Sequence, residues 1–188
     1  VSVSGDTAVI GAYYDDDNGS YSGSAYVYVR NDGVWTEQQK LIASDGAQRD
    51  NFGYTVSVSG DTVVIGALVD GDNGYGSGSA YVYVRNNGEW SEQQKLIASD
   101  GAPNDHFGES VSIFGDTAVI GTAGDDDNGS ASGSTYVYVR TNGVWVEQQK
   151  LTANDGAADD NFGINVSVFS DTTVIGSHSG TAYVYVRS

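Results

Sequence analysis

The sequence predicts an all-β protein, a β-propeller of four-stranded antiparallel blades, and three observations lead there. Segments opening Val1-Ser2-Val3-Ser4, Val56-Ser57-Val58-Ser59, Val111-Ser112-Ile113-Phe114 and Val166-Ser167-Val168-Phe169 start 55 residues apart. A strict period of that size marks a repeat architecture. The apolar residues are mostly Val, Ala and Tyr, with no Met and a single Pro. Such side chains suit a pleated, half-buried surface, and the 26 glycines read as turns between short strands. Finally, each unit holds four short strand-like segments, the pattern of a propeller blade, and one blade cannot bury both faces without stacking on another.

The chain reads as a single propeller or a propeller segment over 1–188, with units 1–55, 56–110, 111–165 and a partial 166–188. In the first unit, strand one (Val1–Ser4) turns through Gly5-Asp6 into strand two (Thr7–Ile10), a two-residue turn suited to a primed hairpin. An acidic loop follows. Strand three, Ala25–Arg30, alternates so that Tyr26, Tyr28 and Arg30 share one face and Val27 and Val29 the other. Asn31-Asp32-Gly33 turns the chain into strand four, Val34–Ile42, the most polar strand and the expected outer edge. A connector, Ala43 to Asp50, leads to the next Phe-Gly pair. The fourth unit stops after its third strand, Ala182–Arg187, so an uncovered edge is expected there. It would be met by neighbouring sequence in a longer propeller of up to about eight blades, by self-association with another copy, or by closure as four blades with one incomplete.

Charge narrows the partners. The formal net charge is −17, with eight Lys and Arg in all. Nucleic-acid binding rests on cationic side chains displacing counterions, so that class is excluded. The same acidity keeps a protein soluble and offers divalent cations a favourable field. Cysteine is absent, which removes disulfides and thiolate metal sites, and no run of 18 apolar residues provides a membrane span. A chain starting at Val1 inside a strand is expected to be a processed piece of something longer.

The candidate site is the loop between strands two and three. Asp15 with Asp17, Asp70 with Asp72, and Asp125 with Asp127 recur at alternate positions, whereas the middle residue varies as Asp16, Gly71 or Asp126. In an extended loop alternate side chains point the same way, so each pair should converge. Asn18, Asn73 and Asn128 add an amide oxygen, and backbone carbonyls near the glycines could complete the six to eight oxygens that calcium prefers. Calcium and magnesium are not separated by this pattern. Asp, Asn and Gly are equally turn formers. The fourth unit lacks eight loop residues between Gly176 and Gly180 and should hold no ion there, with His178 an exposed turn residue. The connector pairs Asp45/Asp50, Asp100/Asp105 and Asp155/Asp160 read first as caps of turn amides, with a second cation site as the alternative.

Phe52-Gly53, Val64-Ile65-Gly66-Ala67, the Asp/Asn/Gly loop and Gly78-Ser79-Ala80-Tyr81-Val82-Tyr83 together resemble the FG-GAP repeats, the blades of the integrin α-subunit propeller. The Trp-x-Glu-Gln-Gln-Lys-Leu strand and the Ala-Ser-Asp-Gly-Ala connector are similar to the bacterial subtype. The proline of the family name is replaced by Tyr13, Leu68, Ala123 and His178. Integrin-type loops place ligands at every second position before a glycine; counting back from Gly19 gives Asn18, Asp16 and Tyr14, so those ligands do not transfer.

Catalysis has no support in the sequence: the two histidines lie in different units, and no nucleophile elbow or phosphate loop is present. The resemblance implies an extracellular or cell-surface, calcium-binding adhesion or protein-interaction module, secreted by a bacterium. A calcium-dependent lectin is the alternative, with Tyr13, Tyr14, Tyr21 and Tyr75 available to stack on sugar rings. A structural repeat of a surface polymer is the third reading.

Overall fold

A computed structural model describes residues 1–187. Its strands are β1 (Ser2–Ser4), β2 (Thr7–Ala12), β3 (Ser24–Asn31) and β4 (Val34–Leu41) in blade one, then β5 (Phe52–Ser59), β6 (Thr62–Ala67), β7 (Ser79–Asn86) and β8 (Glu89–Leu96) in blade two. Blade three holds β9 (Ser110–Phe114), β10 (Thr117–Thr122), β11 (Ser134–Thr141) and β12 (Val144–Leu151), and blade four holds β13 (Asn165–Phe169), β14 (Thr172–Gly176) and β15 (Ala182–Val186). Each sheet is antiparallel in chain order, and the last has three strands. The polar fourth strand is outermost in each complete blade, as its composition predicts. No helix among the described residues is long and apolar enough to cross a membrane.

Local chemistry accounts for the turns. Gly5, Gly60 and Gly115 open the first hairpin with φ near +57°, and Ser170 adopts the same sign in blade four. The second hairpin needs two residues with positive φ, supplied as Asp32-Gly33, Asn87-Gly88 and Asn142-Gly143. Both geometries match strand twist. Blade two begins at Phe52, and its first strand carries a register shift between Phe52 and Thr55.

The blades hold together through their faces. Val9 and Val27, paired across β2 and β3, are fully buried under blade two. Phe52, Phe107 and Phe162 are fully buried, each edge-on to two tyrosines of its own blade, as with Phe52 against Tyr81 at 5.2 Å and Tyr83 at 6.0 Å. The glycine after each Phe runs along the preceding blade, where Gly23, Gly78 and Gly133 make parallel bridges to Phe52, Phe107 and Phe162. Polar bonds repeat at each step. Val58, Ile113 and Val168 donate their N–H groups to Ser2, Ser57 and Ser112 Oγ, and Trp90 and Trp145 donate Nε1–H to Gln38 and Gln93 at 3.0 and 2.9 Å.

Candidate functional site: three acidic corners

Each acidic loop is closed on itself before any side chain is considered. In blade two, Gly78 N–H donates to the Asp70 carbonyl at 2.9 Å, and Ser77 Oγ accepts from Asn73 N–H while donating back to that same carbonyl. Blades one and three repeat these contacts with Asp15, Asn18 and Ser22 and with Asp125, Asn128 and Ser132. The turn holds the first aspartate over the head of strand three. There Ser24 and Tyr26 hydroxyls donate to Asp15 at 2.6 and 2.8 Å, the Ser79 hydroxyl donates to Asp70 at 3.0 Å, and the Tyr81 hydroxyl lies 2.8 Å from Asp70.

The alternate aspartates converge, and the cation between them is a lysine ammonium. Lys95 Nζ lies 2.8 Å from Asp70 and 2.6 Å from Asp72; Lys150 Nζ lies 2.7 Å from both Asp125 and Asp127. Lys40 Nζ bridges Asp15, at 3.1 Å, and Asp17. Strand register puts it there: Lys40, Lys95 and Lys150 sit opposite Tyr26, Tyr81 and Tyr136, with the ammonium over the ring at 5.1–5.3 Å. Asn18, Asn73 and Asn128 do not join the carboxylates through their side chains. The Asn73 amide nitrogen points to the Ala98 carbonyl, 3.5 Å away, and those of Asn18 and Asn128 face connector glycines Gly46 and Gly156.

The connector aspartates divide into two roles. Asp50, Asp105 and Asp160 accept the N–H of Ala47, Ala102 and Ala157 at 2.6–2.7 Å, the expected caps. Asp45 and Asp100 instead reach the corner of the following blade, 2.8 Å from Lys95 and Lys150 and 2.7 and 2.6 Å from the hydroxyls of Tyr81 and Tyr136. In corner one Lys40 holds two carboxylates, those of Asp15 and Asp17, among the described residues. In blade four the shortened loop carries no acidic pair, Tyr183 donates to Asp155 at 2.7 Å, and His178 is an exposed turn residue.

Electrostatics follow from this geometry. Burial by itself would lower the Lys95 ammonium, but Asp45, Asp70 and Asp72 outweigh it and hold the group above its ordinary value; Lys150 is raised in the same way. Ser24 and Tyr26, with Lys40, hold Asp15 below the usual carboxylate range. Burial pushes Asp45 and Asp100 up, yet lysine and tyrosine bonds bring both below normal. Calcium takes six to eight oxygens. Asp100, Asp125 and Asp127 offer carboxylate oxygens within 4.8 Å of one another, an acidic cluster that could hold a metal. As the side chains stand, Lys150 Nζ fills the place between them, so the corner fits an ammonium and would take an ion only with the lysine displaced.

The lysines and tyrosines of the corners were legible only as a repeated strand pattern. Their recurrence in step with the aspartates is the signal that links them, but nothing local shows strand four folding back over the loop.

A family model described as the FG-GAP repeat matches residues 1–28, 35–83, 90–138 and 145–185. The chain belongs to the FG-GAP repeat family, whose propellers are generally non-catalytic. Each of the two middle matches starts on a fourth strand and ends on the next blade's third, so it runs across a blade junction. Among solved structures, the crystal structure of the computationally designed Ika4 protein superposes with a TM-score of 0.57 at 19% identity, covering 100% of this chain and 89% of that one. That likeness concerns the fold.

Proposed function

We propose that this chain is a non-catalytic recognition module of an extracellular or cell-surface protein, binding a protein partner on the face that carries the acidic loops. The observation behind this reading is an aromatic cluster shared by blades one and two. Tyr13 and Tyr14 rings lie 4.1 Å apart, Tyr14 meets Tyr21 edge-on at 5.1 Å, and Tyr13 meets Tyr54 at 5.4 Å. Tyr14 and Tyr75 are about two-thirds exposed. Tyr14, Tyr21 and Tyr75, with Arg49, Asn51 and Val69, line a cleft of about 360 Å³. Tyr and Arg are the residues that dominate protein interfaces, because they bring a large rigid surface with a polar tip. The matching cleft one blade on is lined by Pro103, Asn104, His106 and Asp126 and has no tyrosine, which concentrates binding at blades one and two.

The lectin reading shares these rings. A glycan array and a panel of immobilised extracellular proteins, probed with the chain and with Tyr14→Ser/Tyr75→Ser, separate the two. Protein binding lost in the double variant supports the proposal; binding confined to sugars transfers the site to the lectin; binding to neither panel removes a recognition role.

Calcium at Asp15, Asp17, Asp70, Asp72, Asp125 and Asp127 is the second reading of the corners. It is favoured by charge, since three carboxylates against one ammonium leave corners two and three at a formal −2. Under it, calorimetric titration gives about one ion per corner and chelator lowers the melting temperature. Under lysine closure neither occurs.

A further inference from the structure

The two ends of the blade array are the two halves of its internal junction. Every junction joins a forward face to a backward face. The forward face presents a valine pair across strands two and three, buried as Val9 and Val27 and again as Val64 and Val82. It also presents a serine on strand one and a threonine on strand two. The backward face presents an isoleucine on strand two, fully buried as Ile65 and Ile120, and a strand-one residue, buried as Val58 and Ile113. That same residue donates its N–H to the serine, and an arginine Nη1 donates to the threonine, as in Arg85 to Thr7, Arg140 to Thr62 and Arg187 to Thr117, each at 3.1 Å.

Blade four ends the array with an uncovered forward face. Val174 and Val184, the valine pair of that blade, are 41% and 65% exposed, and Thr172 turns to its own neighbour Asp171 instead of to an arginine. Blade one begins with an uncovered backward face. Ile10 and Val3 are 40% and 64% exposed, and Arg30, which bonds Asp6 as Arg85 and Arg140 bond Asp61 and Asp116, makes no bond to a threonine among the described residues. No hydrogen bond joins blade one to blade four among the described residues, so these faces do not satisfy each other within one chain.

We propose that the forward face of blade four receives the backward face of blade one from a second copy of this chain. Val174 and Val184 then pack under Ile10 and Val3 of the other copy, Ser167 Oγ accepts its Val3 N–H, and Thr172 Oγ1 accepts from its Arg30. The contact continues an interface that the chain already makes three times, and it is heterologous: a closed ring forms if two copies complete the turn, and a longer head-to-tail assembly otherwise. It is smaller than an internal junction at its rim, because blade four has three strands among the described residues and offers no glutamines to Trp35, which is 40% exposed where Trp90 and Trp145 are nearly covered. The charge of −17 on each copy opposes contact, so association strengthens as salt screens it.

The test is sedimentation velocity at about 0.15 M salt and above on the 188-residue chain, on Val174→Asp and on Ile10→Asp. Both substitutions lie on exposed positions, and unchanged circular dichroism checks the fold. Wild type should sediment above the monomer mass of 19.7 kDa with a dependence on concentration, and each variant alone should be monomeric. Mixing the two variants leaves one intact forward face and one intact backward face and should restore a species of two chains and no larger. A monomeric wild type overturns the proposal, as does a variant that still assembles alone, or a mixture that stays monomeric while wild type assembles. Should either aspartate variant misfold, Arg30→Ala and Val184→Asp target the same two faces.

Discussion

Replacing Lys150 by Met removes the ammonium from corner three and keeps the length of the side chain. Asp125, 4% exposed, then faces Asp100 and Asp127 with oxygens within 4.8 Å and no counter-charge. At an effective dielectric near 20, two unit charges at that separation repel by about 3.5 kcal/mol. Breaking a buried pair costs roughly 3–5 kcal/mol. Asp100 and Asp127 side chains are about half exposed, so solvent screening places the expected loss at the low end, about 3 kcal/mol. Urea denaturation of wild type and Lys150→Met, each with chelator and with millimolar calcium, measures it. Wild type should be indifferent to both additions, whereas the variant should be weaker in chelator and partly restored by calcium, because the substitution turns an ammonium site into a cation site. A Lys150→Met chain as stable as wild type in chelator would refute lysine closure. So would a wild type that loses stability when calcium is withdrawn.

Other substitutions probe the junctions and the titrating groups. Phe107→Ala empties a fully buried position between blades two and three and should cost about 3–5 kcal/mol in the same urea assay. Gly66→Ala forces a methyl group into the backbone carbonyl of Gly108 on the next blade, so expression or melting temperature should fall although the substitution is small. Stability should also decline in alkali. Tyr81, Tyr83, Tyr136 and Tyr138 are nearly fully buried, and burial followed by nearby carboxylates raises each above its ordinary 10.0. The folded state therefore keeps protons that the unfolded chain releases from pH 10.0 upward, and stability drops by about 1.4 kcal/mol per pH unit for each such tyrosine. The raised lysines act with the same sign, their contribution being present below 10.5 and lost as pH rises further. A thermal melt that is flat from pH 9.5 to 11.5 would contradict these directions.

The 55-residue period, the alternation of Tyr26, Val27, Tyr28 and Val29, and the Gly-Asp and Asn-Gly turns are local facts, and they were enough to determine an array of four-stranded blades with a polar outer strand and a last blade one strand short. Convergence of the alternate aspartates was local too, since it depends on the direction of side chains within one short loop. What fills the space between them was decided by tertiary structure. Lys95 is separated by more than twenty residues from Asp70 and by fifty from Asp45, and only strand register and blade stacking bring the three together. The same holds for the split between Asp45 and Asp50: both flank one turn, but Asp45 lies where the next blade arrives and Asp50 faces back into its own turn. A repeating sequence prescribes each unit and the step between units, because both rest on contacts made at every copy. The partners of a charge, and the faces left over at the two ends, depend on which copies are present to meet it.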